Sequence, residues 1–298
     1  MPILPTLRIL RRNLTAGIAA IAALGLTSCG LASAGDGDRT ISIIVTESAP
    51  FQEPTEIAKD LLAEDGWELE TTYVTDIIQP NHVVSSGEYD ANYFQHLSYL
   101  DQFNTDNKTE VEPAFSVFYM PNGFFSVTHD SVEDLPDGAQ ISLAVDTTNN
   151  GRGIKILADA GLIEIDETVP VNQLSQESIT ANPRDFDFIE VDLQSTGQTL
   201  PDVDAAFAPS RLIAEAGYDM SETTLLLEDS ATFEEPFTVA VGVQPGEQES
   251  EKTQALQEAY QSEEVAAWFD EYLDGAVQFT DDVTVENVEQ VWADFTAE

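Results

Sequence analysis

Strand-like and helix-like segments alternate along most of this chain, and that alternation restricts its fold more than any other feature. Ile41-Ser-Ile-Ile-Val-Thr46 is a β-branched run that reads as a strand. Pro54 is expected to open a helix whose Ile57, Ala58, Leu61 and Leu62 share one face, with Gly66 as its stop. Residues 67–74 alternate like a strand, residues 80–86 look helical, Asp90-Ala-Asn-Tyr-Phe94 reads as a strand, and a helix follows through Tyr99 and Phe103. A second series begins after the turn Leu135-Pro-Asp-Gly138, with strands at 141–145, 186–191 and 203–207 and a helix carrying Ile154, Leu157 and Ala158 up to Gly161. A strand at 237–241 and helices near 250–261 and 263–273 close the chain. This rhythm predicts an α/β fold with largely parallel sheets, in two lobes with a crevice between them. Open sheets of this kind bind ligands beyond the carboxyl ends of their strands.

A chain of 298 residues with 42% hydrophobic and 9% aromatic side chains can bury a substantial core. Its 11 basic residues face 55 acidic ones, a net charge of −44. Such a surface repels phosphate backbones and argues against nucleic-acid binding. It would suit a saline habitat, where self-repulsion is screened. A single cysteine excludes a disulfide framework and a cysteine-based zinc site.

The first 28 residues hold Arg8, Arg11 and Arg12, no acid, and the apolar run Ile18-Ala-Ala-Ile-Ala-Ala-Leu24. They read as an export signal, too short in its apolar part to favour a spanning helix. Without that segment, 8 basic residues face 55 acidic ones, net −47. Leu26-Thr-Ser-Cys29 resembles a bacterial lipobox, so Cys29 is the expected lipidation site. Arg11-Arg12 leaves the twin-arginine route open beside the general one. The expected location is the extracytoplasmic face of the cell membrane, held by lipid. The expected division is a signal peptide at 1–28, an anchor and tether at 29–39, one lobe from 40–130 and 233–298, and a second from 131–232. Hinges are expected near 127–132 and 228–233.

Two segments carry candidate chemistry. Asp146-Thr-Thr-Asn-Asn-Gly-Arg-Gly153 lies between a strand and a helix, with Asn149 as a plausible cap and Gly151 permitting close backbone approach. Arg152 offers a planar fork suited to a carboxylate, or it pairs with one of the many acids. Tyr93-Phe-Gln-His-Leu-Ser-Tyr99 could wall an apolar pocket, or it is core packing around a hydrogen-bonded His96. Catalytic motifs are lacking: His82, His96 and His129 form no HExxH pattern, and neither GxSxG, GxGxxG nor a phosphate-binding loop occurs. No cofactor is expected, and a binding protein is expected rather than an enzyme.

Asp76-Ile-Ile-Gln-Pro-Asn81, Ser86-Gly-Glu-Tyr-Asp-Ala-Asn-Tyr-Phe-Gln-His96 and Tyr99-Leu-Asp101 together resemble the methionine-binding lipoproteins of the NlpA/MetQ family. Leu135-Pro-Asp-Gly138, Thr148-Asn-Asn-Gly-Arg152, Ala160-Gly-Leu-Ile163, Asp202-Val-Asp-Ala-Ala206, Glu215-Ala-Gly217 and Ser262-Glu-Glu-Val265 continue the resemblance in order. It implies a type II periplasmic-binding-protein fold and capture of methionine or a related amino acid. It also implies a monomeric binding component working with an ABC permease and ATPase. By that resemblance Arg152, with Asn149 beside it, holds the ligand carboxylate, and Tyr93, Phe94 and His96 contact the side chain. The chain departs from the family pattern at Ile77, where a tyrosine is usual, at Asn122, where methionine is usual, and at Pro209-Ser-Arg211, where an asparagine-containing run stands. Arg211 either brings a second positive charge to the crevice or points to solvent. The alternatives are a lipoprotein of the same fold that binds another small carboxylate or serves adhesion or signalling, and metal capture through His82, His96 and acids.

Overall fold

The computed structural model describes residues 39–296. The first strand, β1 (Thr40–Thr46), packs Ile41, Ile43 and Val45 on one face, while Ile44 faces Val83, Val84, Leu100 and Val111 on the other. A strand covered on both faces needs apolar residues on each, and Ile44 supplies them on the face it shares with Thr40, Ser42 and Thr46. After β1 come α1 (Ala49–Glu64), β2 (Glu68–Val74), α2 (Gln79–Ser85), β3 (Ala91–His96), α3 (Leu97–Asn107) and β4 (Glu112–Tyr119). The middle of the chain supplies β5 (Asn122–Phe125), β6 (Gln140–Ala144), α4 (Thr147–Asp159), β7 (Glu164–Ile165), β8 (Ile179–Ala181), β9 (Asp187–Val191) and α5 (Thr196–Thr199). It continues with β10 (Ala205–Pro209), α6 (Ser210–Glu215), α7 (Met220–Thr223), β11 (Thr224–Leu227) and α8 (Ser230–Phe237). The chain ends with β12 (Val239–Val243), α9 (Glu251–Tyr260), α10 (Glu263–Glu271), β13 (Gln278–Phe279) and α11 (Val288–Thr296).

The strands form two principal sheets, β13-β4-β12-β3-β1-β2 and β11-β5-β10-β6-β9, with β7-β8 as a separate ribbon. β1 pairs in parallel with β2 and β3, and β6 pairs in parallel with β9 and β10. β12 enters the first sheet antiparallel to both β3 and β4, on its return from the other sheet. Each sheet has its own core. Phe51, Tyr93, Phe115, Phe118, Tyr260 and Phe269 fill the first, and Phe124, Ile141, Leu143, Ile154, Leu157 and Phe207 fill the second.

The chain leaves the first sheet at Tyr119 and enters the second at Asn122, so the first crossing is Met120-Pro121. This corrects the expected crossing near 127–132 and moves Asn122–Phe125 out of the first lobe. The physical reason is pairing: β5 is hydrogen-bonded on one side to β10 and on the other to β11. The return runs from Glu228 through α8 to Val239, so the chain rejoins the first sheet later than the expected residue 233. Proline 54 lies inside α1 rather than at its start, and Pro50 occupies the first turn. The expected signal segment, Cys29, Arg11-Arg12 and the tether up to residue 38 lie outside the described residues. Among the described residues no helix is long and apolar enough to cross a membrane.

Candidate functional site

Pro54 has no N–H to give to the carbonyl of Pro50, four residues earlier in α1. The hydroxyl of Tyr93 donates to that carbonyl at 3.1 Å. Tyr93 is fully buried, edge-on to Phe51 and Tyr260. It therefore does not line a cavity, and its expected contact with a ligand side chain is corrected. A bulge explains the change of face. Val241 pairs with Tyr93 but Ala240 pairs with Gln95, so Phe94 is an extra residue in β3. The bulge turns Phe94, Gln95 and His96 towards a cavity between the sheets.

That cavity encloses about 570 Å³ of atom-free space, its open mouth included. The first lobe contributes Phe51, Ile77, Phe94, Gln95, His96, Tyr99 and Phe118. The second contributes Asn122, Asn149, Arg152, Leu193, Gln194, Pro209 and Arg211, with Met120, Phe237 and Val239 at the crossings. Apolar and aromatic walls with a few convergent polar groups are what small-molecule sites look like. Arg152, Asn149, His96, Phe94 and Arg211 are thus brought together, and Ile77 joins them.

Gln95 belongs to a buried amide cluster. Asn81 donates to Gln95 Oε1 at 2.7 Å, Gln95 donates to Asn81 Oδ1 at 2.7 Å, and Asn92 donates to Asn81 Oδ1 at 2.9 Å. These three amides come from the two motifs around Asn81 and His96, so the motifs fix the cavity floor as a rigid unit.

His96 caps α3: its Nδ1 accepts the Tyr99 N–H at 3.1 Å. The neutral ring then carries its proton on Nε2, which donates to Asn149 Oδ1 at 3.4 Å, a contact between the two lobes. Burial, reinforced by the Arg152 charge and opposed by the Asn149 hydrogen bond, pushes the imidazole down to about 3. His96 is therefore uncharged across the physiological range.

The helix start is differently built from its expectation. Asp146, not Asn149, caps α4, accepting the Asn149 N–H at 3.0 Å and the Asn149 side-chain amide at 2.9 Å. Asp146 brings its own carboxylate to the helix start, and burial raises its proton affinity. Arg152 is the sixth residue of α4, beyond the first turn with its free N–H groups. Gly151 does admit a close neighbour, but the neighbour is protein: an added Cβ would lie 2.0 Å from the Val171 carbonyl.

Arg152 itself is paired. Nε donates to Glu228 Oε2 at 2.7 Å, Nη2 donates to Glu228 Oε1 and to the Met120 carbonyl at 3.1 Å, and the guanidinium stacks 4.1 Å from the Phe237 ring centre. Glu228 also accepts the Tyr119 hydroxyl at 2.7 Å and the Asn122 N–H at 2.9 Å. Sequence reasoning missed Glu228, because nothing local distinguishes it among 55 acids. Arg211 points inward, not to solvent. Nη1 donates to Ser48 Oγ at 2.9 Å, across the lobes, and Nη2 donates to Gln194 Oε1 at 3.0 Å. Among the described residues no group of three histidine, cysteine or carboxylate side chains is placed to hold a metal ion.

The profile of the NlpA lipoprotein family matches residues 41–279. The methionine-binding lipoprotein MetQ of Bacillus subtilis is 30% identical over 257 residues, covering 85% of this chain and 92% of that one. A solved lipoprotein from Ruminococcus gnavus superposes with a TM-score of 0.77 at 31% identity, over 82% of this chain and all of its own. A nutrient-binding protein from Burkholderia cenocepacia, solved bound to methionine, shares the fold with a TM-score of 0.75 at 24% identity, over 80% of this chain and 99% of its own. The architecture is the two-lobed α/β fold of type II periplasmic binding proteins. On the match across most of its length, this chain belongs to the NlpA lipoprotein family.

Proposed function

We propose that the chain is the extracytoplasmic solute-binding lipoprotein of an ABC importer, capturing methionine or a related amino acid between its lobes. The observation that carries this reading is the cavity: both lobes line it, aromatic rings wall it, and two buried guanidinium groups reach it. Apolar walls suit an aliphatic or thioether side chain, and a guanidinium suits a carboxylate. The family relationship supports the same ligand class, since the Bacillus relative is named for methionine. The chain binds and hands over, with no chemistry on the ligand. Met120-Pro121 and the segment from Glu228 to Thr238 serve as hinges, and ligand favours closure by as much as it prefers the closed form. A permease and an ATPase are the partners of the closed form, and the binding protein works as a monomer.

Cys29 holds the chain to the membrane by lipid, and residues 30–38 are the tether. Replacing Cys29 with serine is expected to release the protein from the membrane fraction and to abolish acyl labelling.

The experiment for the ligand is mass spectrometry of small molecules released by denaturing purified protein, combined with calorimetry of each. Release of a tightly bound amino acid with an apolar side chain is expected. A tightly bound small molecule without a carboxylate would overturn the reading. A different small carboxylate is the second reading, favoured by Ile77 and Arg211 in the cavity wall.

A further inference from the structure

A second cavity adjoins the first across the ends of β3 and β12. Leu97 and Thr238 line it, while their chain neighbours His96 and Val239 line the cavity between the lobes. It encloses about 710 Å³ of atom-free space, its open mouth included. One wall comes from α8, the segment of the return crossing. The opposite wall comes from Thr280, Asp282 and Val283 after β13 and from Val291 of α11. These four residues lie beyond residues 41–279, which the family profile matches.

The walls differ in chemistry. Leu97, Val283 and Val291 are apolar. Glu235 and Asp282 are exposed side chains, so they stand where the cavity meets solvent. Neither carboxylate has a hydrogen-bond or ion-pair partner among the described residues, and no lysine, arginine or histidine is among the described residues that line the cavity. On a chain of net charge −44, two such acids alone would be ordinary solvated surface. Thr280 sets this place apart. It is 6% exposed and lines the cavity, and its Oγ1 is buried without a hydrogen-bond partner among the described residues. The groups around it are satisfied. The Thr280 N–H donates to the Val117 carbonyl at 2.9 Å, and the Thr280 carbonyl accepts from Ser116 Oγ at 3.2 Å. Ser116 Oγ in turn accepts the Val283 N–H at 3.3 Å. A buried hydroxyl left without a partner costs stability, and an N–H brought in by a guest would supply one.

A guest that donates hydrogen bonds, carries positive charge and has an aliphatic body meets all three features. A bare metal ion does not, since it would leave the apolar wall wet, and no group of three metal-ligating side chains occurs among the described residues. We propose that this second cavity binds a small alkylammonium ion. Its head lies between Thr280 Oγ1 and the carboxylates of Glu235 and Asp282, and its carbon chain lies along Leu97, Val283 and Val291.

The test is calorimetry of the protein with n-alkylammonium chlorides from methyl to pentyl at constant ionic strength, beside the matching n-alkanols and potassium chloride. One site per chain is expected, with affinity rising about threefold per added methylene. The alkanols are expected to bind about tenfold more weakly, for want of a charged donor. Thr280→Val keeps the shape and removes the hydroxyl. It is expected to weaken pentylammonium binding about tenfold and to leave the unliganded protein at least as stable in thermal unfolding. Glu235→Gln with Asp282→Asn, on exposed positions, is expected to weaken it about fivefold. None of these residues lines the cavity between the lobes, so the outcome does not depend on the ligand held there. Absence of saturable binding would overturn the proposal. Equal response to potassium and pentylammonium would also overturn it, as diffuse attraction to an acidic surface. Unchanged pentylammonium affinity in both variants would place the ion elsewhere and overturn it as well. A marked loss of stability in Thr280→Val would show that the hydroxyl already has a partner and would count against the site.

Discussion

Glu228 grips Arg152 with both carboxylate oxygens at the place where the chain passes between its sheets. The same Glu228 side chain receives Tyr119, the last residue of β4, and the backbone of Asn122, the first residue of β5. One buried ion pair thus fixes the first crossing, the end of β11 and the middle of α4 relative to one another.

Breaking that pair from one side should therefore be costly. Glu228→Ala leaves a buried guanidinium without a counter-charge, and about 3–5 kcal/mol of stability is expected to be lost. Removing both charges, as in Arg152→Met with Glu228→Leu, is expected to cost much less. Urea unfolding of the three proteins checks this, and equal losses in the single and double variants would contradict it.

His96 gives an acid-dependent stability term. Burial pushes its imidazole down to about 3 in the folded chain, below the ordinary value of 6.5. The unfolded chain therefore binds more protons between these values, and this group's contribution is full above pH 6.5 and declines as pH falls towards 3. Tyr99, Asn149, Arg152 and Phe237 face the ring. Asp146, near Tyr99 and Asn149, is raised by burial and contributes with the opposite sign in acid. His96→Gln is expected to flatten the fall in unfolding midpoint between pH 6.5 and 4, read as wild type minus variant so that the Asp146 contribution cancels.

Gly151 tests close packing in α4. A methyl group there would lie 2.0 Å from the Val171 carbonyl and 3.2 Å from that of Leu174. Overpacking against backbone has little room to relax, so Gly151→Ala is expected to destabilise by about 3 kcal/mol, against the usual gain for glycine to alanine in a helix. A stabilised Gly151→Ala protein in thermal unfolding would contradict the packing described.

Ser48 joins the lobes. Its hydroxyl accepts from Arg211 at 2.9 Å and donates to Glu215, both on α6, while its backbone stands at the start of α1 in the first lobe. Ser48→Ala removes two charge-assisted bonds that exist in this arrangement of the lobes. Ligand dissociation followed by stopped-flow is expected to quicken by about tenfold, in line with roughly 1.5 kcal/mol for a bond to a charged group.

Much of the architecture was legible. β1 is a β-branched run that buries Ile41, Ile43 and Val45 on one face and Ile44 on the other, and α4 shows its buried stripe as Ile154 and Leu157, so both elements stand out locally. The motif around His96 also pointed to the cavity wall formed by Phe94 and His96. What escaped depends on partners distant in sequence. The short strand Asn122–Phe125 exists through its pairing with β10 and β11, and the crossing moves with it. Tyr93 changes face because of a one-residue bulge and because Pro54 leaves a carbonyl in need of a donor. Asp146 takes the cap that Asn149 could have taken, since both are competent residue types and only the helix length decides.

The most direct test of the ligand-binding cleft is fluorescence or calorimetric titration of the protein with L-methionine and its close analogues. One saturable site per chain is expected, accompanied by a smaller radius of gyration in solution scattering as the lobes close. Absence of saturable binding across the amino-acid series, with no change in scattering, would contradict it.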